Sequence, residues 1–142
     1  MKTWILDTGP LVAYLDAADP YHGTVVTQWD DFKGRLVTTS AVITESMHFV
    51  AASPGGPRHL ADLVEASSMD VYDLSRPPEL REAAELMEKY ADTPMDFADA
   101  TLVLLAEALG IDDVLTLDLR GFSVYRTRTR RALLPVAGLS RS

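Results

Sequence analysis

Four acidic residues, Asp7, Glu45, Asp99 and Asp118, fall where an apolar strand-like run ends or a helix begins, so distant parts of the chain could converge on one point. Carboxylates held close together repel, and they raise one another's pKa or spread apart unless a cation neutralises them. Oxygen-only ligation with no cysteine in the chain selects Mg²⁺ or Mn²⁺ over Zn²⁺. Such an ion lowers the pKa of an attacking water and orients it on phosphorus, which suits phosphodiester hydrolysis without a side-chain nucleophile. Asp96, one helical turn before Asp99, is a fifth candidate as a ligand, as a support for one, or as a helix cap.

Acids beside helix starts also cap helices, because they accept free N–H groups and complement the dipole. For Asp96 or Asp99 alone that explanation is sufficient. It accounts poorly for Asp7 and Asp118, each of which follows an apolar strand-like run and needs a partner. Thr8 and Thr116 adjoin these two acids, and their hydroxyls could steady a carboxylate or a water. His48, one turn after Glu45, is read as a packing or surface residue.

The elements that must position these side chains follow from periodicity. Trp4-Ile5-Leu6 reads as a strand, and Thr8-Gly9-Pro10 opens a helix, with Pro suited to its first turn. A helix is expected from about His22 to Phe32, a strand over Leu36 to Thr39, and a helix capped by Ser40 that carries Glu45. After the Ser53 to Pro57 loop come a short helix from Arg58 to Ala66 and a strand from Met69 to Leu74. A charged helix follows from Pro78 to about Tyr90, and then a helix from the Met95 to Asp99 region to the Gly110 stop. Val114 to Leu117 is a strand ending at Asp118. Strands alternating with helices predict an α/β domain: a largely parallel sheet of four or five strands with helices on both faces. In such sheets sites form beyond the carboxyl ends of the strands, which is where these acids stand.

A length of 142 residues, 47% of them hydrophobic, fits a single domain over residues 1–142. The first charge after the amino-terminal apolar run comes at Asp7, so no signal peptide or membrane span is expected at that end and a cytoplasmic protein is. The net charge of −8 opposes nucleic-acid binding, but it is unevenly spread. Six of the 13 basic residues, all arginine, lie in 119–142, where there is no acid. Val124, Arg126, Arg128 and Arg130 alternate with Tyr125, Thr127 and Thr129, so an extended segment would project three arginines from one face toward RNA phosphates. On charge alone, pairing of these arginines with the protein's own acids explains them equally well.

Four short motifs in this order carry a resemblance: Leu6-Asp7-Thr8-Gly9-Pro10-Leu11-Val12-Ala13, Val42-Ile43-Thr44-Glu45, Asp96-Phe97-Ala98-Asp99-Ala100, and Thr116-Leu117-Asp118 with Phe122. Together they resemble the PIN-domain ribonucleases, and in particular the toxin subunits of VapBC-type toxin–antitoxin modules. The resemblance covers nearly the whole chain. It implies a Mg²⁺- or Mn²⁺-dependent endoribonuclease whose metal is held by Asp7, Glu45, Asp99 and Asp118, with Asp96 ranked fifth. It also implies an RNA substrate, a cognate antitoxin that blocks the site, and operator DNA bound only through that antitoxin. Dimerisation is a family habit for which Trp29 or the helix from Pro78 to Tyr90 would supply apolar surface.

Other classes fit less well. A haloacid-dehalogenase-type phosphatase needs a second Asp where Gly9 stands, and a receiver domain needs a lysine after a late strand, where none of Lys2, Lys33 and Lys89 lies. No P-loop motif occurs. The rival from a different class is a catalytically silent PIN fold that binds RNA or protein, whose usual mark would be loss of one of the four acids.

Overall fold

The structure, a computed structural model, describes residues 1–136. In chain order it forms β1 (Thr3–Leu6), α1 (Thr8–Leu15), α2 (His22–Asp31), β2 (Arg35–Thr39), α3 (Ser40–Val50) and α4 (Gly56–Ser67). These are followed by β3 (Asp70–Tyr72), α5 (Pro77–Lys89), α6 (Phe97–Leu109), β4 (Asp113–Leu115), α7 (Leu119–Val124) and β5 (Leu134–Pro135). The strands make one sheet in the order β3-β2-β1-β4-β5, and every neighbouring pair is parallel. Strand order reverses between β1 and β4, and right-handed crossovers on either side of that point put helices on both faces of the sheet. The crevice outside the carboxyl ends of β1 and β4 is therefore where a site belongs.

The sheet centre is dry. Ile5 and Leu6 of β1 and Val114 and Leu115 of β4 are fully buried. Helix α6 is apolar on nearly every side, from Ala98 through Leu102, Leu105 and Ala106, and it lies inside the protein for that reason. Gly110 ends it at φ 65°, the left-handed conformation in which a side chain is disfavoured.

Several boundaries differ from the sequence reading. Thr39, not Ser40, caps α3: its hydroxyl accepts the Val42 N–H at 3.4 Å and pairs with the Thr101 hydroxyl at 2.8 Å, while Ser40 donates to Asp73 at 3.1 Å. β3 is three residues long, and β4 stops at Leu115 because the Asp118 N–H folds back onto the Thr116 hydroxyl at 2.9 Å. β5 adds a two-residue edge strand, too short to give a periodic signal.

The arginine stripe does not form. Val124 ends α7, Arg126 bridges antiparallel to Ala132, and Arg130 turns the chain at φ 66°. Acids on α5, on α6 and just before β4 hold the segment: Arg128 pairs with Glu82 at 2.9 Å and with Glu107, and Arg131 pairs with Asp112. The Arg126 guanidinium donates to the Ser123, Val124 and Tyr125 carbonyls, each at 3.0 Å. Arg120 and Arg130 form no ion pair among the described residues, and Arg141 lies outside them. Trp29 does not offer an apolar surface either, because it is buried against Tyr14 with ring centroids 4.6 Å apart. The α5 helix does keep Leu80 exposed. Among the described residues no helix is long and apolar enough to cross a membrane.

Candidate active site

All five predicted acids line one open cleft of about 640 Å³: Asp7 after β1, Glu45 on α3, Asp96 and Asp99 at the start of α6, and Asp118 after β4. Three of them, Asp7, Asp96 and Asp118, are helix N-caps, and Asp99 completes a capping box with Asp96. Capping and site formation are thus the same event. Each helix N-terminus fixes a carboxylate at the cleft, and its positive end offsets part of the mutual repulsion.

The caps leave oxygens over. Asp96 Oδ1 accepts the Asp99 N–H at 2.8 Å, Asp99 Oδ2 accepts the Asp96 N–H at 3.1 Å, and Asp118 Oδ1 accepts the Gly121 N–H at 3.0 Å. The other oxygen of each of these carboxylates takes no N–H bond. Asp7 is held at both oxygens, by the Thr8 N–H at 2.8 Å and the Thr116 hydroxyl at 2.7 Å. Thr116 therefore ties Asp7 to Asp118, since its hydroxyl donates to the first carboxylate and accepts from the backbone of the second. The Thr8 hydroxyl is buried without a partner of regular geometry, although it lies close enough to Glu45 to favour that carboxylate's charged form.

Burial and mutual charge set the titration of the cluster. Asp7, only 7% exposed, is raised from 3.8 to about 6 by burial; the bonds from Thr116 and Thr8 oppose the rise, and Asp118 and Asp96 add to it. Asp99 is pushed well above the ordinary carboxylate range by burial first and then by Asp7 and Asp96. Glu45 is raised by burial and by Asp96. Such a cluster favours either protons or a cation.

Among the described residues no three acids or histidines draw close enough to form a ready-made metal cluster. The donor set still fits a hard cation, because Mg²⁺ characteristically takes one or two carboxylates and keeps several waters. Asp7, Glu45, Asp99 and Asp118, with Asp96 beside Asp99, are the residues that could hold it.

Gly121 makes room for the site. A Cβ there would overlap Asp118 Oδ2 and come within 2.9 Å of the Tyr125 hydroxyl. Tyr125 is fully buried and donates to the Pro94 carbonyl at 2.8 Å, bracing the turn that leads into Asp96. The sequence reading missed this tyrosine, and it missed Val12, Asp19, Tyr21, Phe49 and Leu117 in the cleft wall. Phe49 was detectable, since it lies four residues after Glu45 on one helix and so shares its face. Asp19 and Tyr21 carried no such signal, because a loop brings them to the cleft.

A parallel sheet with acids gathered at its switch point defines the class, and a family model described as the PIN domain matches residues 4–127. The chain belongs to the PIN-domain family. Within that family it stands beside the VapC-type ribonucleases. Ribonuclease VapC26 of Mycobacterium tuberculosis (strain ATCC 25618 / H37Rv) is 36% identical over 124 residues, covering 86% of this chain and 91% of that protein. Among solved structures, the Sarcin-Ricin loop cleaving toxin VapC20 of Mycobacterium tuberculosis superposes with a TM-score of 0.70 at 20% identity, over 78% of this chain and 85% of its own. VapBC2 from Rickettsia felis, bound to a DNA fragment from their promoter, gives 0.65 at 14% identity, over 94% and 98%. FitAcB from Neisseria gonorrhoeae gives 0.62 at 17% identity, over 92% and 95%. At these identities the solved structures speak for the fold.

Proposed function

We propose that the whole chain, 1–142, acts as one metal-dependent endoribonuclease domain, with 119–142 as its basic segment, and that it is the toxin of a type II toxin–antitoxin pair in the cytoplasm. The observation that carries the chemistry is the convergence of five carboxylates from separate chain segments on one cleft, with Asp7 raised to about 6 inside it. The 36% identity to a ribonuclease over most of the chain supports RNA as the substrate. The likeness to VapBC2, which was solved as a pair on promoter DNA, supports a cognate antitoxin and operator binding through it.

When bound, Mg²⁺ or Mn²⁺ would supply an acidified water and charge stabilisation on phosphate oxygens. The remaining work belongs to the chain. Asp7, Asp99, Asp118 and Glu45 would hold the cation, with Asp96 beside Asp99. Thr116 keeps Asp7 ionised and oriented, and the α1, α6 and α7 N-termini fix the carboxylate rotamers before substrate arrives.

The test is cleavage of total cellular RNA by the purified, antitoxin-free protein in Mg²⁺, in Mn²⁺ and in EDTA, with Asp7→Asn and Asp99→Asn alongside. The account expects fragments that require metal and disappear in both variants. Intact RNA in every lane would favour a silent RNA- or protein-binding PIN module.

A further inference from the structure

Among the described residues the cleft has no cationic lining: Asp7, Asp19, Glu45, Asp96, Asp99 and Asp118 face it, and no lysine or arginine does. An RNA backbone brought to these acids gains nothing from ion pairing with the wall. Beyond whatever the bound cation supplies at the scissile phosphate, contacts to the bases are the affinity this wall can offer.

A second, more enclosed cavity of about 240 Å³ adjoins the first, and Val12 and Phe49 line both. Leu15 and Val50 back it, and Asp16, Ser53 and His59 supply polar groups. Its volume is below the roughly 300–1,000 Å³ of cavities that take drug-sized ligands, and it suits one planar ring system. Phe49 is 56% exposed despite its size, with the His48 ring edge-on at 6.0 Å, so an aromatic surface stands uncovered beside the acids.

We propose that this cavity seats an unpaired nucleobase of the RNA substrate, stacked on Phe49, next to the phosphate presented to the carboxylates. The inference rests on the nuclease reading and adds how a strand is gripped beside a metal site whose described wall offers no cationic side chain. Ser53, His59 and Asp16 offer hydrogen bonds to a base edge, which makes the cavity the point where base identity is read.

Two readouts test it. Binding of a fluorescent single-stranded RNA is followed by anisotropy with Ca²⁺ in place of Mg²⁺, and cleavage is followed in single turnovers with Mg²⁺. Stacking on one aromatic ring predicts that Phe49→Ala weakens binding by roughly 5- to 150-fold while the maximal cleavage rate changes little. Phe49→Tyr retains affinity, and Phe49→Leu, apolar but without a π face, behaves like Ala. Abasic nucleotides walked along the RNA add the decisive comparison: at one position the abasic site weakens the wild type by the Phe49→Ala factor and leaves Phe49→Ala unchanged. Circular dichroism checks that each variant is folded. Wild-type affinity in Phe49→Ala, wild-type affinity in Phe49→Leu, no RNA binding by the wild type, or equal abasic losses in both proteins at every position would overturn the proposal. Normal RNA binding and cleavage by Phe49→Ala together with lost inhibition by a protein partner would assign the face to that partner instead. RNA binding that depends on Phe49 without any cleavage would uphold the base site while the nuclease reading fails.

Discussion

Asp7→Asn should abolish cleavage and at the same time stabilise the metal-free protein. Asp7 ionises at 3.8 in an open chain and at about 6 in the fold. A difference of about two units at 1.36 kcal/mol each makes the buried charge cost about 3 kcal/mol. Asparagine removes the charge and keeps most of the contacts, since its carbonyl can accept the Thr8 N–H and its amide can donate to Thr116. The Thr116 proton then lacks an acceptor, at about 1 kcal/mol, which leaves a net gain of about 2 kcal/mol. Because the native pKa is raised, the folded protein binds more protons than the unfolded chain as pH rises from about 4 to 6, and native stability falls across that window. The variant's advantage is therefore absent at pH 4, where the lost acceptor leaves it slightly the less stable, and complete above about pH 7. Urea unfolding in EDTA at pH 4 and pH 7.5 measures it. Mg²⁺ at a hundred times its dissociation constant would restore about 2.7 kcal/mol to the wild type alone and cancel the difference. A variant less stable than wild type at pH 7.5 in EDTA, or equally offset at both pH values, would refute the reasoning.

Three further outcomes follow from the same geometry. Thr116→Val removes a donor to ionised Asp7 and strands the Asp118 N–H, so it should cost about 1.5–3 kcal/mol at neutral pH by urea unfolding and move the acid limb of the pH–rate profile upward. Gly121→Ala drives a methyl group into Asp118 and should lower the single-turnover cleavage rate by about a hundredfold, the scale expected for a misplaced reacting group, with metal affinity reduced as well. Arg128→Ala should lower the unfolding free energy by about 1 kcal/mol, because it frees Glu82 and Glu107, and leave the cleavage constants unchanged; a rise in KM with no loss of stability would return that arginine to RNA contact.

Asp7 and Asp118 were legible because each sits at a junction that sequence marks well, an apolar run, then an acid, then a helix start, and Asp96 and Asp99 because they open a helix, whereas Glu45 lies within α3. Topology followed from the alternation of elements, and the parallel sheet brought the four junctions together. Capping a helix and facing the cleft were not in fact alternatives, as Asp7, Asp96 and Asp118 show, and sequence alone could not reveal that one carboxylate does both. The arginine stripe failed because alternation is informative only where the chain is extended, and ion pairs with Glu82, Glu107 and Asp112 fold that segment back. The Asp19 to Tyr21 loop and the Tyr125 brace arise from long-range packing that no local pattern encodes.

The central claim is that these carboxylates place a divalent ion on RNA. Cleavage rate against Mn²⁺ concentration, at saturating RNA, for wild type and Asp99→Asn tests it most directly. The account predicts a saturating curve for the wild type and, for the variant, a midpoint displaced to higher Mn²⁺ with a plateau at least a hundredfold lower, on the scale by which misplaced reacting groups slow enzymes. Superimposable curves, or wild-type cleavage that persists unchanged in EDTA, would contradict it.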